Sequence, residues 1–259
     1  HDSLERLIAM TSEKKHPIWA ERIEQLKAEE QKRTETALSI TKDKCGGSKL
    51  SPYEIIDIIS SKAEDDTIII TDVGQHQMWT AQRYPLKTPR TFLSSGGLGT
   101  MGFGLGAAVG AAAASGKRCI LFTGDGSFGM DLCELATAVS QELPITIVIM
   151  NNGVLGMVRQ WQTLFYDKTY SNTVLNRKTD FVKFAEAMGA KGYKATNIEE
   201  FKAAFADAYA QEGPTLIDLT LDKDLKVLPM LKPNGTFDKL IIREEEIDGS
   251  SELRNRGIR

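Results

Sequence analysis

Residues 119–127 read Cys-Ile-Leu-Phe-Thr-Gly-Asp-Gly-Ser, and residues 145–153 read Ile-Thr-Ile-Val-Ile-Met-Asn-Asn-Gly. Each is a short apolar run that stops at a polar, glycine-bearing turn. A helix-compatible stretch over 131–141 separates them. Such Ile- and Val-rich runs predict strands buried on both faces, as in a parallel sheet. Upstream, residues 67–74 repeat the pattern as Thr-Ile-Ile-Ile-Thr-Asp-Val-Gly. Before them, Ser51 is placed to cap a helix that starts at Pro52, with Glu54 in the capping-box position. Downstream, 180–188 predicts a helix and 192–195 a strand. Asn197 with Glu200 predicts a capped helix to Tyr209, and 214–221 a last strand. Strands alternating with helices predict an α/β fold, a parallel sheet sandwiched by helices.

This pattern places one domain over 50–242, with a helical segment and linker over 1–49 ahead of it and a polar tail over 243–259 behind. Residues 13–36 are charged and helix-compatible, with Ile18, Trp19, Ile23 and Leu26 as a narrow apolar stripe. Residues 41–49 read as a polar linker, and Glu244-Glu245-Glu246 marks a solvated tail. Between Arg90 and Lys117 no residue is charged, and about 20 apolar residues suffice to cross a bilayer. Glycine is dense there, with Gly102, Gly106 and Gly110 at every fourth position, so the segment reads as a glycine-rich loop running into a buried helix. No membrane association is expected. The first residues, His1-Asp2-Ser3-Leu4, have no Met and no signal-peptide pattern, and read as the interior of a longer chain.

Of the 259 residues, 41% are hydrophobic and 26% charged, which excludes a wholly disordered chain. A formal net charge of -3 argues against a nucleic-acid partner. Cys45, Cys119 and Cys133 form no C-x-x-C pair, which suits a reducing, cytoplasmic setting. Three histidines leave no His-rich zinc site.

In an open α/β sheet, ligands bind beyond the carboxyl ends of the strands. Residues 72–76, 124–127 and 151–157 hold that place. Gly124-Asp125-Gly126-Ser127 lets the backbone approach a phosphate, with helix N–H groups pointing at it. Asp125 is set where a hard cation needs a carboxylate, and Asn152 follows one helix and one strand later. Oxygens of Asp and Asn fit magnesium, which often bridges protein to phosphates. Singly, Asp-Gly and Asn-Gly are common turn dipeptides. Their spacing brings both turns to one sheet edge. The phosphate-loop pattern G-x-x-x-x-G-K-[ST] is not present.

The stretch from Gly124-Asp125-Gly126 to Asn151-Asn152 resembles the thiamine diphosphate signature. Three neighbouring stretches narrow the likeness: Gly74-Gln75-His76-Gln77-Met78-Trp79, then 95–102 (Ser-Gly-Gly-Leu-Gly-Thr-Met-Gly), then 156–162 (Gly-Met-Val-Arg-Gln-Trp-Gln). With Val227-Leu228-Pro229-Met230, they resemble the catalytic (large) subunit of acetohydroxyacid (acetolactate) synthase over about residues 50–240. The resemblance implies a thiamine-diphosphate-binding domain. Asp125, Asn152 and the main chain at Val154 would hold Mg2+. Gln75, His76, Gly99, Gly126, Ser127 and Gly156 would lie along the cofactor, Met101 would hold it bent, and Met157 would pack near it. Trp161 would line the pocket for the second 2-oxo acid.

The activity implied is condensation of pyruvate with pyruvate or 2-oxobutanoate, with loss of CO2, in branched-chain amino acid biosynthesis. The family also implies FAD in the complete enzyme, a homodimer or higher oligomer, and a small regulatory subunit as a further partner. Its N-terminal domain supplies the activating glutamate and its central domain precedes this region. No segment here resembles the former, and 1–40 looks like the exit from the latter. The chain is therefore expected to contain no catalytic residue of its own and to be inactive alone. Alternatives are another decarboxylating thiamine enzyme (catabolic acetolactate synthase, pyruvate oxidase, glyoxylate carboligase) or a non-catalytic cofactor-binding or assembly module.

Overall fold

The computed structural model describes residues 2–11, 17–46, 49–236 and 239–243. The tail expected over 243–259 lies outside the described residues from 244 onward. Six parallel strands, β1 (Ile68–Thr71), β2 (Phe92–Ser94), β3 (Cys119–Thr123), β4 (Ile145–Asn151), β5 (Lys191–Ala195) and β6 (Thr215–Thr220), form one sheet in the order β2-β1-β3-β4-β6-β5. The parallel α/β sheet expected from the apolar runs is present. Side chains leave a strand alternately to either face. Here Ile69, Ile120, Phe122, Val148, Met150, Ile217 and Leu219 point to one core, while Ile68, Ile70, Leu121, Ile147, Ile149 and Leu216 point to the other.

The first core is closed by α3 (Pro52–Lys62), α4 (Gln75–Arg83) and α10 (Ile198–Tyr209), through Ile55, Ile56, Ile59, Trp79, Phe201 and Phe205. The second is closed by α5 (Gly104–Ser115), α6 (Asp125–Asp131), α7 (Leu135–Ser140) and α9 (Phe181–Ala187), through Leu105, Ala108, Phe128, Leu135 and Phe181. Burying each Ile or Phe is worth roughly 1.5–3 kcal/mol. A one-residue slip of a strand would exchange its two faces, so the register is strongly specified. A third cluster joins α8 (Gly156–Phe165) to α2 (Pro17–Cys45) and to the antiparallel pair β7 (Met230–Leu231) and β8 (Leu240–Ile241). It holds Ala37, Leu164, Leu228, Met230 and Ile241, with Trp161 and Phe165 against them.

Several expectations need correction. The linker over 41–49 is instead helix as far as Cys45, because Ala37, Thr41 and Cys45 recur every fourth residue and all are buried. The helix ends at Gly46, in the left-handed conformation (φ 61°). The stripe on its first half is exposed, with Trp19 at 65% and Ile23 at 50%, and α1 (Asp2–Met10) also has no buried residue. The helix expected over 131–141 is broken by a 3-10 turn, Leu132–Glu134, ahead of α7. Ser51 precedes α3 but makes no capping bond through its side chain, whereas Asn197 accepts from the Glu200 N–H (3.0 Å) as expected. Between Arg90 and Lys117 the short edge strand β2 precedes the glycine loop. In α5, Gly106 and Gly110 face open space and not a packed neighbour. Among the described residues no helix is long and apolar enough to cross a membrane.

Candidate functional site

After β1 the chain goes outward to β2, then returns to lay β3 on the other side of β1. The carboxyl ends of β1 and β3 therefore flank a topological switch point, the usual crevice for ligands in such sheets. Residues 72–76, 124–127 and 151–157 meet there. Asp72, fully buried, fastens the crevice wall. Its Oδ1 accepts from the N–H groups of Val73 (3.0 Å) and Gly102 (3.0 Å), and its Oδ2 from Thr123 Oγ1 (3.3 Å). This fixes the 95–103 loop, which carries Gly99 and Met101, over the end of β1.

Gln75 and His76 form the first turn of α4. Gln75 Oε1 accepts from Asn152 Nδ2 (3.3 Å), while its Nε2 donates to Gln160 Oε1 (2.9 Å) and the Leu225 carbonyl (2.8 Å). Gly156 lies directly against that junction: a Cβ there would run into Gln75 Oε1 and sit 2.7 Å from Asn152 Nδ2. The His76 ring lies between the backbones of Gly74 and Gly124, and a Cβ on Gly124 would be 3.0 Å from its Nδ1. Its Nε2 is buried with no hydrogen-bond partner among the described residues. Burial pushes its pKa down to about 3, so the ring is neutral at pH 7.

Asp125, Gly126 and Ser127 open α6. Asp125 is 5% exposed, and burial pushes its carboxyl up to about 6 against hydrogen bonds from its own main chain and that of Asn152. Asn152 Oδ1 accepts from the Val154 N–H (3.1 Å), which turns the loop back on itself. Arg177 donates from Nη1 to the Asp125 carbonyl (3.1 Å), and Ser127 Oγ donates to the Val73 carbonyl (3.0 Å). A Cβ on Gly126 would touch Leu155 (3.0 Å) and Met101 Cε (3.4 Å), so Met101 reaches the glycine turn.

The sequence thus placed Gln75, His76, Gly99, Met101, Asp125, Gly126, Ser127, Asn152, Val154, Gly156 and Met157 on elements or loops at one edge. Contacts join most of them; Met157 is half-buried on the first turn of α8. Trp161 is held elsewhere, edge-on to Phe165 (5.2 Å between centroids) in the third cluster. Two organising residues went unassigned in the sequence. Asp72 stood at a strand end, and Gln160 stood within a quoted motif. Gln160 also accepts from the Val227 N–H (2.8 Å) and donates to the Val227 carbonyl (3.0 Å). Around it, the carbonyls of residues 225–229 accept in turn from Gln75, Trp79, Gln160, Tyr53 and Gln82.

The residues suit a diphosphate held through a hard cation. A buried carboxylate costs free energy that a divalent ion would offset. One carboxylate, one amide oxygen and a main-chain carbonyl are the oxygen donors magnesium takes when phosphates and waters complete its shell. The partnerless His76 Nε2 is a buried polar atom for a ligand or water to satisfy. Among the described residues no group of three or more His, Cys, Asp or Glu gathers, so a site of the all-side-chain kind is absent.

The chain is 44% identical over 216 residues to the mitochondrial acetolactate synthase catalytic subunit of Saccharomyces cerevisiae, covering 81% of this chain and 31% of that protein. It is 43% identical to the acetolactate synthase isozyme 1 large subunit of Escherichia coli (74% and 34% covered). It is 40% identical to the probable acetolactate synthase large subunit of Methanocaldococcus jannaschii (93% and 40% covered). The chain spans about a third of the length of these relatives. A family model described as the thiamine pyrophosphate enzyme, C-terminal TPP binding domain, matches residues 72–219, the stretch from the buried Asp72 to the end of β6. By sheet, strand-end turns and sequence together, this chain belongs to the thiamine pyrophosphate enzymes and carries their C-terminal cofactor-binding domain.

Proposed function

We propose that the chain is the cofactor-holding part of an acetohydroxyacid synthase that joins pyruvate to pyruvate or 2-oxobutanoate with loss of CO2. The observation that carries this reading is the meeting of Asp125 and Asn152 beside Gln75 at the switch point, within a chain similar to acetolactate synthases over most of its length. Asp125, Asn152 and the Val154 carbonyl would hold Mg2+. The first turn of α6, with Gln75 and His76, would hold the diphosphate. When bound, the thiazolium of the cofactor supplies the carbanion chemistry for decarboxylation and carbon–carbon bond formation. The protein's share is binding and posture. Met101 limits the room above Gly126, Gly99 turns the 95–103 loop in the left-handed conformation (φ 64°), and Gly156 leaves space where a side chain would run into Gln75 and Asn152.

Trp161 is proposed to face the acceptor oxo acid, at the far side of α8 from Arg159. The activating glutamate, FAD and a dimer partner belong to the proposed complete enzyme, with a small regulatory subunit as a further partner. The cytosol is the proposed compartment, since Cys45 and Cys119 are buried free thiols, although the yeast relative is named mitochondrial.

Calorimetry with thiamine diphosphate tests the reading. Asp125→Ala should weaken Mg2+-dependent binding at least tenfold, about 1.4 kcal/mol. Asp65→Ala, at the opposite end of the sheet, should leave it unchanged. Equal affinities for the two variants would sink the assignment.

A further inference from the structure

The oxygens proposed to meet a cation stand on two turns that follow different strands, Asp125 after β3 and Asn152 with Val154 after β4. One stretch of chain, 173–177, touches both turns. On the β4 side it pairs with the loop. The Leu155 N–H donates to the Thr173 carbonyl (2.8 Å) and the Leu175 N–H to the Gly153 carbonyl (2.9 Å), with Val154 opposite Val174 in an antiparallel bridge. In that register the bonded main-chain groups belong to Gly153 and Leu155, so those of Val154 turn away from the 173–175 backbone. The Val154 N–H goes to Asn152 Oδ1, and its carbonyl faces the same side.

On the β3 side the same stretch reaches the glycine turn. A Cβ on Gly126 would stand 3.3 Å from Leu175 Cδ1, and Arg177 Nη1 donates to the Asp125 carbonyl (3.1 Å). The guanidinium lies across α6 where Gly129 has no side chain. A Cβ there would run into Arg177 Nη1 and stand 2.8 Å from its Cζ. The helix gains from such a tie: its seven residues include Gly126 and Gly129, too short and too flexible a run to hold its shape by propensity.

We propose that Arg177 is a positioning residue of the cofactor site. By clamping α6 to the 173–177 stretch, it sets how far Asp125 stands from the Asn152 and Val154 oxygens, and thereby the size of cation the site takes. This rests on the reading of those oxygens as cation ligands. Mg2+ takes oxygens at about 2.0–2.1 Å in a strict octahedron, whereas Ca2+ accepts about 2.3–2.6 Å in looser shells. Discrimination between the two ions therefore depends on how rigidly the donors are held.

Calorimetry of thiamine diphosphate binding to the full chain, in Mg2+ and in Ca2+, tests this. Arg177→Ala should weaken Mg2+-supported binding roughly tenfold, the low end for losing a group that orients metal ligands, and Ca2+-supported binding by less. Both ions carry the same charge, so their ratio does not register the charge lost with the arginine. Gly129→Ala keeps that charge, displaces only the end of a flexible side chain, and should reproduce the effect. In the double variant the second change should add nothing, because the contact is already gone. A parent chain that binds no thiamine diphosphate with Mg2+, or binds it equally after Asp125→Ala, overturns the underlying reading together with this one. Where parent binding does depend on Asp125, two results overturn the role of Arg177 alone. One is a Mg2+ to Ca2+ preference unchanged in Arg177→Ala; the other is single losses that multiply in the double variant.

Discussion

Gly156 has no side chain because Gln75 and Asn152 already fill the space where one would project. Gly156→Ala must push one of them aside, and both belong to the proposed cofactor site. The expected outcome is thiamine diphosphate binding weakened at least tenfold, with unfolding by urea changed by only about 1–3 kcal/mol, the usual cost of overpacking. Calorimetry and denaturation on the same preparation check it. A second residue sets a pH dependence. Asp131, beside Gly102 and the start of α5, has both carboxyl oxygens buried without a partner among the described residues, and burial with the nearby Asp72 charge raises its pKa to about 6 from the usual 3.8. A folded value above the unfolded one means stability fully present below about pH 4 and lost as pH rises through about 6. Relative to Asp131→Asn, the parent chain should lose about 1–2 kcal/mol across that window, discounted because the residue is partly exposed. Urea midpoints of both proteins at pH 4 and pH 7 measure it; a constant difference would refute it.

At the level of elements, α5 separates two uses of glycine. A Cβ at Gly104 would stand 2.7 Å from Leu121 Cδ1 and 3.0 Å from Asp72 Oδ2, so the helix rests directly on β1 and β3. Gly104→Ala should destabilise the chain by about 1–3 kcal/mol. Nothing lies within 4 Å of a Cβ at Gly106 or Gly110, and each replacement by Ala should stabilise it by about 0.5–1 kcal/mol through helix propensity. Thermal unfolding of the three variants distinguishes the two cases. The sequence showed Gly106 and Gly110 in one four-residue repeat with Gly102, and only the neighbours across space tell their role from that of Gly104. The same distinction governs the rest of the fold. β1, β3, β4 and β6 were legible because they are buried on both faces and read as unbroken apolar runs. β2 was not, since Phe92–Ser94 is a three-residue edge strand. The helices α4 and α8 begin without a side-chain cap, directly at Gln75 and Gly156, so their opening residues read as loop motifs. Asp125 and Asn152 were visible from turn chemistry and spacing. The partners of Gln160 were not, because they lie far off in sequence, at Gln75 and Val227.

The whole molecule holds a cofactor-binding edge while spanning only 31% to 40% of its relatives' length. In the proposed enzyme, the group that activates the cofactor lies outside these 259 residues. General acid–base assistance contributes about 10²–10⁴-fold, and a half-open pocket also admits water. The purified chain should therefore form no measurable acetolactate from pyruvate at saturating thiamine diphosphate and Mg2+. Product formed by preparations free of full-length enzyme would place the missing group within this chain. The segment over 225–229 carries a consequence of another kind. Its successive carbonyls are fastened by Gln75, Trp79, Gln160, Tyr53 and Gln82, and not by a neighbouring strand. A strand ladder joins main chain to main chain and is indifferent to most substitutions. Here each tie is the property of one codon. Descent with modification can therefore loosen or tighten this segment one fastening at a time while the sheet beneath it is inherited unchanged.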